Sequence, residues 1–74
     1  MNRGNSQGNG EPVVRSTREG TVVIHGSTIE LRHRNGMRER VGRGRYVMTD
    51  AQGRTIINRR ATRSDLARLR RIAD

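Results

Sequence analysis

Cysteine, lysine, phenylalanine and tryptophan are all missing from this 74-residue chain, proline occurs once, and Tyr46 is the single aromatic residue. Each absence closes a route. Without cysteine there is neither a disulfide framework nor a thiolate zinc site, the two commonest staples of a small domain. No stretch approaches the roughly 18 to 20 apolar residues of a membrane span, and the N-terminus has no apolar run of signal-peptide length. A cytoplasmic chain with no membrane contact is therefore expected, nucleoid-associated if it binds DNA. Hydrophobic residues make up only 30% of the sequence. A domain of this size buries about 60% of the surface of its unfolded chain, so the core is thin and a homodimer is expected to help it.

Arginine is what the chain has in abundance. Sixteen of them stand against seven acids, for a formal net charge of +9. Phosphate matches the planar guanidinium fork, so the excess points first to a nucleic acid, DNA or RNA. The plainer alternative is a GC-rich coding bias in which arginine mainly confers solubility.

Along the chain, residues 1 to 11 are polar and glycine-rich and read as a flexible leader. Pro12-Val13-Val14 fits an edge strand or a docking segment, and Arg15 to Gly20 a polar connector, which sets a tail at 1–20 and one small domain at 21–74. Gly26-Ser27 has the pattern of a two-residue type II′ hairpin, pairing Ile24 with Ile29 and Val22 with Leu31. A three-residue loop at Arg34-Asn35-Gly36, with Gly36 left-handed, pairs Ile29 with Val41 and Glu30 with Arg40. The resulting three-stranded meander has two unlike faces. Val22, Ile24, Ile29, Leu31, Met37 and Val41 form one; Thr21, Val23, His25, Thr28, Glu30, Arg32, Arg38 and Arg40 form the other.

A second hairpin is predicted around Asp50-Ala51-Gln52-Gly53-Arg54. It pairs Thr49 with Thr55, Met48 with Ile56 and Val47 with Ile57, which makes both its faces apolar and calls for the helix on one side and the first sheet or a second protomer on the other. Gly42-Arg43-Gly44-Arg45 links the two units as a turn or a kinked strand. Thr62-Arg63-Ser64-Asp65 fits a capping box that opens a C-terminal helix, with Leu66, Leu69, Ile72 and Ala73 on one stripe and Arg63, Arg68 and Arg71 free to face outward. The expected architecture is α+β, a small antiparallel sheet (three-stranded meander plus β-hairpin) with one C-terminal helix. The layout resembles small chromatin proteins with an SH3-like barrel and a terminal helix, but those rely on lysine and on apolar or aromatic wedges absent here, so no residue is carried over.

Catalytic patterns are lacking. The serines have no local histidine and carboxylate partners, no glycine-rich loop with a following lysine exists, and His25 and His33 fall on opposite faces, so neither an enzyme, a metal site nor a cofactor is expected. Gly42-Arg43-Gly44-Arg45 holds the Arg-Gly-Arg core of AT-hook peptides without its flanking prolines, and its glycines read better as a tight link. The sharpest signal is Arg32, Arg38 and Arg40 on one sheet face, extended by Arg34, Arg43 and Arg45. Because that face has no aromatic residue for base stacking, the expected mode is phosphate-directed binding of a polyanion with little sequence preference. The alternative is a dimeric interaction module that uses the hairpin from Tyr46 to Asn58.

Overall fold

In the computed structural model, residues 11–74 are described; most of the expected leader lies outside them. Six strands follow one another as β1 (Val13–Ser16), β2 (Gly20–His25), β3 (Thr28–His33), β4 (Arg38–Gly42), β5 (Arg45–Thr49) and β6 (Thr55–Arg60), and helix α1 (Arg63–Ala73) ends the chain. They form one antiparallel sheet in the order β1-β2-β3-β4-β5-β6, so every strand pairs with its neighbour in sequence. The two predicted units are thus a single sheet, and the second hairpin extends the first meander edge to edge instead of packing upon it. The sheet begins at Val13, ahead of the boundary drawn at residue 21.

Turn chemistry sets the register. Gly26 (φ 62°) opens the β2–β3 turn, and Ile24 pairs with Ile29 and Val22 with Leu31, as expected. In the β3–β4 loop Gly36 is left-handed (φ 95°), His33 N–H donates to the Met37 carbonyl at 2.8 Å, and Ile29 pairs with Val41. The β4–β5 link closes as a two-residue turn in which Arg43 (φ 53°) and Gly44 (φ 77°) both have positive φ. That is the signature of a type I′ turn, whose twist matches the flanking strands. The β5–β6 loop is held by Asp50, which accepts from the Gln52 and Arg54 amides through Oδ1 at 3.0 and 2.9 Å.

One pairing departs from expectation. Thr49 pairs with Thr55, but the register then slips by one residue, so Met48 pairs with Ile57 and Val47 with Asn58. A bulge places two residues of one strand against one of the other and reverses the parity of everything beyond it. Ile57 consequently joins the helix side, and polar Asn58 stands beside Val47 on the opposite side. The hairpin is therefore not apolar on both faces.

Helix α1 lies on one face, chiefly over β3. Val22, Ile29, Leu31, Val41 and Tyr46 from the sheet meet Leu69 and Ala73 from the helix, with Ile24, Met48, Ala61, Leu66 and Ile72 at the margin. Leu31, Leu69 and Val22 are fully enclosed. The capping box is present in full: Asp65 N–H donates to Thr62 Oγ1 at 3.1 Å, and Thr62 N–H donates to Asp65 Oδ2 at 2.8 Å. The N-cap and N3 amide groups are thereby satisfied, and the carboxylate faces the positive end of the helix dipole. Both edge strands, β1 and β6, are exposed along their length.

Candidate nucleic-acid interface

Strand alternation divides the arginines between the two faces. On the face without the helix, Ser16, Thr21, Arg32, Arg38, Thr49 and Thr55 pair in one row across all six strands. The adjacent row runs Val14, Val23, Glu30, Arg40, Val47 and Asn58. Beyond it, Gly42 pairs with Arg45 and Arg45 with Arg60. Arg32, Arg38 and Arg40 are thus brought together as expected, and Arg45 joins them. Arg60 joins as well, a residue missed in the sequence because the bulge that turns it to this side leaves no mark in the hydrophobic pattern.

Two of these pairings set like charges directly opposite each other: Arg32 against Arg38, and Arg45 against Arg60. Cross-strand pairs of one sign destabilise a sheet unless something anionic lies between them. The internal acids do little here. Glu30 takes Arg32 at 3.1 Å, and Arg45 donates to the neutral Oδ1 of Asn58 at 2.8 and 3.2 Å. The side chains of Arg38, Arg40, Arg43 and Arg60 have no hydrogen-bond or ion-pair partner among the described residues. Two shallow cavities sharing Arg40 run along this face. One of about 180 Å³ is lined by Glu30, Arg38, Arg40, Val47, Thr49 and Thr55, and one of about 370 Å³ by Thr28, Arg40, Gly42, Arg43 and Arg45.

Arg34 does not join the group. It sits in the β3–β4 loop, where its Nε donates to the Arg18 carbonyl at 3.0 Å and Nη2 to that of Thr17 at 3.4 Å. It clamps the β1–β2 connection.

The helix side pairs two of its arginines with carboxylates, while the side chains of Arg63, Arg70 and Arg71 on α1 have no ion-pair partner among the described residues. Glu39, 3% exposed, lies in the row of Leu31 and Met48. Tyr46 O–H donates to its Oε1 at 2.7 Å, His33 Nε2 to its Oε2 at 2.5 Å, and Arg68 reaches across from the helix to bond Oε1. Arg68, expected to face outward, is instead the counter-ion of a buried acid. Burial pushes the Glu39 carboxyl up, but the bonds from Arg68, Tyr46 and His33 outweigh it and hold the pKa down to about 2. Burial and the bond to Glu39 push the Tyr46 phenol up to about 12. Arg59 stacks 4.4 Å above the Tyr46 ring and grips Asp65 through both oxygens at 2.9 and 3.1 Å, which holds the Asp65 carboxyl well below its ordinary range. The sequence carries a signal for Glu39: positions 37, 39 and 41 share a face, and the pattern turns Met37 and Val41 inward.

His25 and His33 stand on opposite faces, and among the described residues no three metal-ligating side chains cluster. No helix among them is long and apolar enough to cross a membrane. No protein-family model matches the chain, and comparison with curated proteins and with solved structures returns no match.

Proposed function

We propose that the protein binds nucleic acid, preferentially duplex, by laying the helix-free face of its sheet along the phosphate backbone with little sequence preference. Arg32, Arg38, Arg40, Arg45 and Arg60 make the contact, with Arg43 at its rim. The observation that carries this reading is that the open face alone sets arginines directly opposite one another. Glu39 and Asp65 neutralise Arg68 and Arg59 on the helix side, and Asp50 takes Arg54 at 2.7 Å, whereas the open face keeps facing arginine pairs with Glu30 as the one acid in its rows. A polyanion relieves that repulsion on binding, and rows of guanidinium and hydroxyl groups without aromatics suit a backbone better than splayed bases.

Binding to a duplex of arbitrary sequence, followed across a salt series, tests the reading. If about five phosphates are engaged, log affinity falls with log salt at a slope of roughly 4 to 5. Changing Arg38, Arg40 and Arg60 together to glutamine lowers the slope by roughly 3. A parent slope near zero, or an unchanged slope in the triple variant, refutes the proposal. A second reading rests on β6, where Ile56 and Ile57 are 51% and 37% exposed beside an unpaired strand edge: a second copy pairs there, extending the sheet. Sedimentation equilibrium decides it, and a monomer at about 100 μM rejects it.

A further inference from the structure

We propose that the tip of the β4–β5 hairpin is a built pocket for a single phosphate group. This inference rests on the nucleic-acid reading and names where on that surface one phosphate is gripped. The cavity of about 370 Å³ is lined by Thr28, Arg40, Gly42, Arg43 and Arg45, that is, by three guanidinium groups, one hydroxyl and no acid. A carboxylate is satisfied by one planar fork. Several forks and a hydroxyl converging on one space suit a tetrahedral oxyanion, which accepts along several directions at once.

Three backbone and side-chain features support a formed site over a chance meeting of arginines. First, a Cβ at Gly42 would lie 2.5 Å from Thr28 Oγ1, so the bare glycine is what leaves room for the hydroxyl at the cavity wall. Second, Arg45 is already oriented by the bonds of its Nε and Nη2 to Asn58 Oδ1, which leave the Nη1–Nη2 edge of the guanidinium for a ligand at a lower ordering cost. Third, Arg43 occupies the first position of the type I′ turn at φ 53°, a left-handed conformation that asparagine or glycine adopts far more readily. The turn is pinned, since Ala61 N–H donates to the Gly44 carbonyl at 2.8 Å. Local preference is thus overridden at the one turn position whose side chain lines the cavity and has no partner among the described residues. Strain of this kind gathers at ligand contacts.

The chemistry is common to a backbone phosphodiester and to a terminal 5′-phosphate, and the test separates them. The full chain is titrated with inorganic phosphate while the arginine Nε–H and backbone amide NMR signals are followed. It is then titrated with one duplex carrying either a 5′-phosphate or a 5′-hydroxyl. Parent, Arg43→Asn and Thr28→Val are compared. Phosphate is expected to shift the Arg40, Arg43 and Arg45 signals with those of Thr28 and Gly42, and to leave Arg63, Arg70 and Arg71 on the helix unmoved. Arg43→Asn should melt about 4 °C higher, because Asn-Gly suits the turn, yet bind duplex about tenfold more weakly with the salt slope reduced by about 0.9. Equal affinity of the two duplex ends identifies the diester as the group held; tighter binding of the phosphorylated end identifies the monoester. Shifts spread evenly over all arginines, or duplex affinity unchanged in both Arg43→Asn and Thr28→Val, overturn the pocket. If those two variants bind as the parent does while Arg38→Gln weakens binding, the pocket fails and the nucleic-acid reading stands; phosphate shifts confined to the tip without duplex binding reverse that outcome.

Discussion

Acidification is expected to loosen the fold through Glu39 in particular, and the effect can be sized. Its carboxyl falls from an ordinary 4.5 to about 2 on folding, because Arg68 on α1, Tyr46 on β5 and His33 on β3 all bond the charged form. At about 1.4 kcal/mol per tenfold, the drop is worth about 3 kcal/mol. The folded state holds the proton less tightly than the unfolded one. This stability is therefore complete above about pH 4.5 and is lost as pH falls toward about 2, with about 2 kcal/mol gone by pH 3. A domain of this size has a total of about 3 to 10 kcal/mol, so the loss is large. Urea unfolding followed by far-UV circular dichroism at pH 6, 4, 3 and 2 measures it. Asp50 and Asp65 are also held below their ordinary range and add to the acid sensitivity, so the informative quantity is the difference between the parent and Glu39→Gln. That variant keeps the shape but cannot ionise. It should be the less stable protein at pH 6, and the gap should narrow by about 3 kcal/mol on reaching pH 2. A gap that stays constant with pH would show that the carboxylate is not held by these three donors and would refute the reasoning.

Other substitutions probe separate parts of the structure. Tyr46→Phe removes one donor from the same carboxylate and should cost about 1 to 3 kcal/mol in urea unfolding, with strand content unchanged by circular dichroism. Leu69→Ala empties a fully enclosed site beneath the helix and should cost about 2 to 5 kcal/mol. Gly20→Ala would drive a Cβ to 2.0 Å from the Arg32 carbonyl oxygen, at φ 149°, and should lower the melting temperature by more than 5 °C or so, where an alanine at exposed Gly53 costs less. Ile56→Lys places a charge on the exposed β6 edge. If that edge pairs with a second copy, the variant sediments as a monomer at concentrations where the parent does not.

The parts of this fold that were readable from sequence are those governed by residues close in the chain. Gly36 and Gly53 announce left-handed loop positions, and the loops they close fix the pairing of Ile29 with Val41 and Thr49 with Thr55 without reference to the rest of the molecule. The capping box is equally local, since Thr62 and Asp65 satisfy each other. The slip after Thr49 could not be read this way. Ile56 and Ile57 are both apolar, so a pattern of alternation accepts either of them as the inward residue, and the choice falls to packing. Its effect reaches the candidate interface, because without the bulge Arg59 would stand on the open face and Arg60 beneath the helix. The contacts of Arg34 and Arg68 are hidden for a related reason: each is engaged by groups at least 16 residues away, where spacing carries no signal.

Because each strand meets only its sequence neighbours, the sheet can zip up by a succession of short loop closures, which are fast. Seating α1 closes a longer loop, since Arg68 meets Glu39 across 29 positions of chain. Interactions made late hold back unfolding more than they hasten folding. The Glu39–Arg68 pair is then expected to act as a latch on an assembled sheet, bearing more on how long the native state lasts than on how fast it forms.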